Sequence, residues 1–235
     1  MRKGEQTRAS ILNTALGLAA RAGLEGITIG SLADLMQMSK SGVFAHFGSR
    51  EDLQIAVLKE YERRFVDEVL KPSLSAARGL PRLKAIFEHW LDRTAIEAAQ
   101  GCIWISGATE YDDRPGPVRE ELVSTVRLWQ RELSKAIRQA FEEGHLQSDG
   151  ALHDLISDLV FDLYGLILVL HHDARLLNTP DAEARARRSF ERLLRGRVHP
   201  QFSELARVAP PDVQALQAIR PVVPAVTPFT SPQIS

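Results

Sequence analysis

Apolar residues recur at three- and four-residue spacing almost from end to end of this chain, and no alternating run of β-branched residues exceeds four. That period belongs to amphipathic helices and leaves no strand to build a sheet from. Ile11, Leu12, Ala15, Leu18 and Ala19 mark one face of a first helix, and Gly23 stands where a glycine stop belongs. Thr28 is placed to cap a second, short helix with Leu32, Ala33 and Leu35 turned inward, and Ser39 to cap a third. Ser49 with Asp52 makes a capping-box-like pair opening a fourth helix, about 50–70, that ends before Pro72. Further helices are predicted at about 80–99, 116–143, 149–172 and 181–195, with breaks at Gly101, 112–117, 144–150 and 178–180. The expected fold is all-α. A three-helix head occupies residues 1–50, and a larger helical body follows over 51–196, with helix four as the connection. From 197 to 235 the composition changes: seven of the twelve prolines lie there and no glycine. This extension reads as a flexible tail, with packing on the body as the alternative; 201–208 and 212–219 are its candidate short helices.

With 44% hydrophobic residues in 235, the chain can bury a sizeable core, and a net charge of −1 removes the signature of whole-chain disorder. Cys102 is the single cysteine, so no intrachain disulfide can form, which fits a reducing cytoplasm. No basic stretch followed by an apolar run opens the chain, and the longest strongly apolar run, Leu163–Leu170, falls short of the ~20 residues that cross a bilayer. A soluble intracellular protein without a membrane partner is expected. The small net charge hides a gradient. Residues 1–50 carry net +3, from Arg2, Lys3, Arg8, Arg21, Lys40 and Arg50 against Glu5, Glu25 and Asp34, while the remainder carries −4. Phosphate contact is therefore favoured at one end only.

That basic end holds the most informative segment, Thr28 to Leu53: TIGSLADLMQMSKSGVFAHFGSREDL. Two short helices joined by a tight turn make a helix-turn-helix, whose second helix enters the DNA major groove. Close crossing of the helices demands a small residue in the first, and Ala33 supplies it. Burial of the second demands an apolar residue ten positions on, and Val43 supplies that. The turn usually takes glycine for its left-handed position. Here Gln37 must adopt that conformation at roughly 1 kcal/mol or use another turn.

The segment, with Thr7–Arg8 and Ile11–Leu12 before it, resembles the tetracycline-repressor-like (TetR) family of bacterial one-component regulators, most tellingly over Ser39 to Glu51. The resemblance covers about the first 55 residues closely. It implies double-stranded operator DNA as partner, with Thr28, Ser39, Lys40, Ser41, Gly42, Phe44, Ala45, His46 and Arg50 at the interface. Where the family usually carries two tyrosines this chain has Phe44-Ala45. Phe44 keeps the packing but lacks a hydroxyl for phosphate, while the Ala45 methyl can still meet a thymine methyl. Affinity is then expected to lean on Lys40, His46, Arg50 and helix N-termini. Arg50 opposes the helix dipole one residue after the cap, a placement better suited to phosphate than to stability.

The resemblance further implies a homodimeric repressor that leaves a near-palindromic operator when a small molecule enters its body. Candidate pocket residues are Phe87, Trp90, Leu91, Trp104, Trp129, Phe161, Tyr164 and Leu168, expected to line a large, apolar cavity for an apolar or amphipathic effector. Helix 149–172 is apolar nearly all round between Leu163 and Leu170, so one side should meet the core and the other a second subunit. The candidate dimer residues are Leu163, Leu166, Ile167, Leu170, Phe190 and Leu194. Glu110 to Asp113 read as a solvated helix end. Two other classes compete: a helical adaptor that has lost DNA binding, and a helical-bundle enzyme. Glu142 and His145 form one Glu-x-x-His pair where a di-iron site needs two, and His171 and His172 diverge on a helix. No phosphate loop, nucleophile elbow or dinucleotide fingerprint is present. No metal, cofactor or redox role is expected, Cys102 being flanked by Ile103, Trp104 and Ile105.

Overall fold

The computed structural model describes residues 3–148 and 150–206, and over these residues it is helical throughout, with one isolated bridge between Leu146 and Val198. The head comprises α1 (Lys3–Ala22), α2 (Ile29–Met36) and α3 (Lys40–Phe47). Its caps form as the sequence predicts. Thr28 accepts from the Ser31 amide at 2.9 Å while the Thr28 amide donates to Ser31 Oγ, a reciprocal box. Ser39 accepts from the Gly42 amide, and Ser49 from the Asp52 amide. Ala33 and Val43 are both buried, so α2 and α3 cross closely. Gln37 does adopt the left-handed conformation, φ 53 and ψ 41, and the turn keeps its usual shape without glycine.

Leu35 departs from expectation: it is exposed. It lies three residues after Leu32, but in an eight-residue helix only Leu32 and Ala33 reach the core.

The fourth helix is longer in kind than in length. α4 (Arg50–Phe65) passes into a π-helical turn, Val66–Leu70, before a last turn, α5 (Lys71–Ser73). Such turns open a helix locally and are frequent at functional sites. The body continues with α6 (Leu80–Gln100), α7 (Ile103–Tyr111), α8 (Pro117–Glu142), α9 (Leu152–Arg175) and α10 (Ala182–Leu194). Its centre is aromatic: Phe65, Trp90, Trp104 and Trp129 meet with ring centroids 4.6–6.2 Å apart, mostly edge to face.

α9 is 24 residues long, with a mean hydropathy of 1.5 over eighteen of them, long and apolar enough by composition to cross a membrane. Run length does not show this, because isolated polar residues interrupt the apolar stretch. Only 39% of that window is buried in the chain itself. Ile156, Leu159, Val160, Leu163, Ile167 and Leu170 face the core, while Phe161, Leu168, Val169 and Leu176 lie outside along one stripe.

That division corrects the expected dimer face. Leu163, Ile167 and Leu170 are core residues, Leu166 is half-buried, and Phe190 and Leu194 are wholly enclosed. Phe190 stacks on Phe87 at 4.1 Å. A helix apolar on two sides does not announce which side faces inward.

Residues Pro200–Ala206 form a 3-10 helix. Phe202 packs edge-on against His145 at 4.6 Å, so the described start of the extension lies on the body. The candidate helix at 212–219 falls outside the described residues.

Candidate DNA interface and the body behind it

The second helix of the turn presents one face outward. Lys40, Ser41, Phe44 and Ala45 are exposed, whereas Val43 and Phe47 are buried beneath them. Thr28 and Ser39 stand exposed at the N-termini of α2 and α3; Gly42 and His46 are half-buried. The Lys40 side chain runs beside Gly30, so an ammonium and the starts of two helices share one end of the head. Free N–H groups at helix starts favour phosphate, and the exposed Ser41, Phe44 and Ala45 face offers hydroxyl, ring and methyl to base edges. Phe44 does not pack as expected. It is 53% exposed, on the outer side of α3, and available to a thymine methyl rather than to the core.

Arg50 requires a larger correction. Its Nε donates to the Ile27 carbonyl at 2.9 Å, and Nη2 donates to the Glu25 carbonyl at 2.5 Å and the Glu25 carboxylate at 3.0 Å. The guanidinium ties the start of α4 to the α1–α2 connection, which removes the reason for assigning it to phosphate. Arg50→Ala is therefore expected to cost about 1–2 kcal/mol of stability through the two carbonyls left without a donor, the exposed ion pair adding little. The salt dependence of DNA binding should stay unchanged. A slope that flattens by about one unit with stability intact would return Arg50 to the phosphate contacts.

Glu25 is the hub of that connection. The Tyr111 hydroxyl donates to its carboxylate, Arg114 lies at 3.6 Å, and its own amide donates to Glu110 at 2.8 Å. The Tyr111 bond does most to hold the Glu25 carboxyl below its usual range; burial opposes it, and the Arg50 bond and the charges of Arg50 and Arg114 add to the lowering. Glu110 and Tyr111 are thus docking groups rather than a solvated helix end. A side chain at Gly23 (φ +76) would collide with the Glu110 carboxylate. α7 consequently runs from Trp104 in the aromatic centre to the head.

The candidate pocket residues separate into three groups. Phe87 and Leu91 are ordinary core, Phe87 against Phe190. Phe161 is 80% exposed and Leu168 partly so, because they sit on the outer stripe of α9; Leu168 borders the open groove between α1, α6, α7 and α9 and not the aromatic centre. Trp104 and Trp129, with Phe65, Val66, Leu70, Thr125 and Leu128, line an apolar cavity of about 210 Å³ between α4, its π turn, α7 and α8. Trp90 and the half-buried Tyr164 stand behind it. The cavity is smaller than the ~300–1,000 Å³ usual for ligand sites, because the indoles fill their own space. Both indole N–H groups, of Trp104 and Trp129, are buried without a hydrogen-bond partner among the described residues. Sequence reasoning missed Phe65 and the π turn: the former reads as one more apolar helix position, and nothing local marks the latter.

The polar residues weighed as enzyme or redox candidates take the following places in the fold. Glu142 pairs with Arg78, while His145 accepts from the Leu80 amide and so caps α6. His171 is buried and His172 exposed, diverging as adjacent helical residues must. Cys102 is enclosed beside Tyr61 and Glu97, and burial, with the Glu97 carboxylate, pushes its thiol up to about 12.

The chain matches the sequence model described as "Bacterial regulatory proteins, tetR family" over residues 11–57 and that described as "Tetracyclin repressor-like, C-terminal domain" over 79–190. Together they span about two thirds of its length. No curated protein matches. Solved structures share the fold. A TetR-family transcriptional regulator from Agrobacterium tumefaciens superposes with a TM-score of 0.69 at 17% identity, covering 84% of this chain and 100% of that one. A transcriptional regulator from Saccharomonospora viridis in complex with choline gives 0.67 at 20%, covering 83% and 99%. The ketosteroid transcriptional regulator of Mycobacterium tuberculosis gives 0.59 at 19%, covering 82% and 95%.

Proposed function

The chain belongs to the tetracycline-repressor family of DNA-binding transcriptional regulators, and on that premise we propose a homodimer that releases a near-palindromic operator when a compact apolar molecule enters its body. The observation that carries the DNA side is the exposed α3 face, Lys40, Ser41, Phe44 and Ala45, held on a fully capped helix-turn-helix. Two such heads read successive major grooves when their recognition helices lie about 34–36 Å apart. A regulator that acts on a bacterial chromosome works in the cytoplasm, and on this reading the single cysteine fits a reducing compartment.

The effector reading rests on the unpartnered indoles. An apolar ligand with a hydrogen-bond acceptor, a carbonyl or ether oxygen, would satisfy Trp104 and Trp129 at the mouth of the π turn. Pressure on Trp104 would be passed along α7 to Tyr111 and Glu110, and so to the Glu25 connection and the start of α4. Ligand and operator must then weaken each other's binding by one common factor. Tyr111→Phe removes one link of that chain. It should leave operator affinity nearly unchanged while reducing effector-driven release several-fold, read by fluorescence anisotropy of labelled operator. Full release in that variant would show that the coupling runs elsewhere.

Selection of bound fragments from pooled genomic DNA tests the regulator itself, and its salt dependence separates a regulator from an adaptor. Within that assay Lys40→Ala should weaken all sequences alike and flatten the salt slope by about one unit. Changes at Ser41 or Gly42 should alter which bases are preferred. The absence of any enriched palindromic fragment would sink the operator reading.

A further inference from the structure

Three polar groups that neither the DNA face nor the indole cavity uses converge where α6 turns into α7. Glu97 lies in the last turns of α6, Cys102 precedes α7, and His171 projects from α9. Their ligand atoms, one carboxylate oxygen, Sγ and one imidazole nitrogen, all lie within 4.8 Å of one another, and all three residues are buried. His171 is only 6% exposed, and its Nε2 has no hydrogen-bond partner among the described residues. A buried imidazole nitrogen left unpaired is costly and calls for a partner.

The surroundings hold the carboxylate in place. Tyr61 donates to Glu97 Oε1, and Arg93 Nε donates to the same oxygen at 2.7 Å. Arg93 is itself paired with Glu68 and lies over the Tyr61 ring at 4.5 Å. Cys102 Sγ is 3.2 Å from the Tyr61 hydroxyl. Orienting bonds of this kind, from outside the ligand set, are what metal sites use to fix their donors. There is also a way in. A groove of about 870 Å³ between the end of α1 and helices α6, α7 and α9 has Cys102 and His171 in its wall, with His172 and Arg175 nearby.

We propose that Cys102, His171 and Glu97 bind a borderline-soft divalent cation of the zinc class through one thiolate, one imidazole and one carboxylate, with a fourth position open to the groove. Thiolate and imidazole select d-block ions over magnesium or calcium. Zinc takes these donors at about 2.0–2.3 Å in a tetrahedron, so the three atoms need to draw together by roughly 1 Å. The thiol S–H bond breaks, its proton leaves to water, and the sulfur lone pair forms the metal bond; no oxidant or reductant takes part. Neighbouring Gly101 packs against α1 so closely that a side chain there would strike the Ala20 carbonyl. The bound ion would therefore sit at the seam between body and head.

The test uses the full-length, unmodified chain without DNA, so its result does not depend on the operator reading. After chelator treatment the protein is titrated with Co²⁺ and then Zn²⁺. One ion per chain is expected, with tetrahedral ligand-field bands and a thiolate-to-cobalt charge-transfer band that zinc bleaches. Because Cys102 is the only cysteine, such a band can arise from no other residue. Zinc-edge X-ray absorption should show one sulfur and a remainder of nitrogen and oxygen. His171→Gln, its helicity checked by circular dichroism, should weaken zinc by at least about tenfold. Absence of stoichiometric binding, or ions bound without sulfur, would overturn the proposal.

Discussion

Replacing Phe161 with aspartate, together with Val169→Asp, is expected to turn the proposed dimer into a folded monomer and to lower operator affinity by about 10²–10⁴-fold, the advantage that linking two half-site contacts confers. Phe161 and Val169 are exposed in the single chain, so the charges enter water in the monomer and cost its stability little. In a two-fold interface each charge is buried without a partner and meets its own copy nearby, and both terms oppose association. The stripe they belong to passes Gly165, where a Cβ would meet nothing within 4 Å among the described residues, which leaves room for close approach of a second helix. Sedimentation velocity with circular dichroism checks this. A dimer that persists in the double variant would move the interface away from α9 and remove the present account of operator spacing.

The contrast between this stripe and the one the sequence suggested shows where reading ran out. Thr28 with Ser31, Ser39 with Gly42 and Ser49 with Asp52 are partners within three residues, and each cap was open to reading from local chemistry. Ala33 and Val43, with Gln37 between them, follow from the geometry of two crossing helices, so the head was legible nearly residue by residue. Arg50 was not, because its partners at Glu25 and Ile27 lie more than twenty positions away, and a cation beside a helix start reads as a phosphate ligand when those carbonyls are unseen. Periodicity likewise marks α9 as apolar on two sides without telling the core side from the outer one. Glu97, Cys102 and His171 are the extreme case. Each is alone in its own helical segment, and only the tertiary fold brings them within reach of one ion.

Phe190 tests the same distinction from the inside. Its ring is 0% exposed and stacked on Phe87 at 4.1 Å with planes 14° apart, so it belongs to the packing of α10 onto the body. Phe190→Ala removes the stacked ring, and the neighbours, held by α6 and α9, can close the space only in part. The expected loss is about 3–5 kcal/mol. For a chain of this size that lowers the melting temperature by about 6–20 °C. Phe190→Leu keeps most of the volume and should lose far less. The two placements of this residue predict different concentration dependence. A core residue changes stability by the same amount whatever the protein concentration, whereas a residue of the dimer face acts through association and its effect grows on dilution. Calorimetry of both variants at two widely separated concentrations distinguishes them. A shift that is small at high concentration and large at low would put Phe190 back at the dimer face and α10 with it, and the outer stripe of α9 would no longer suffice as the contact between subunits.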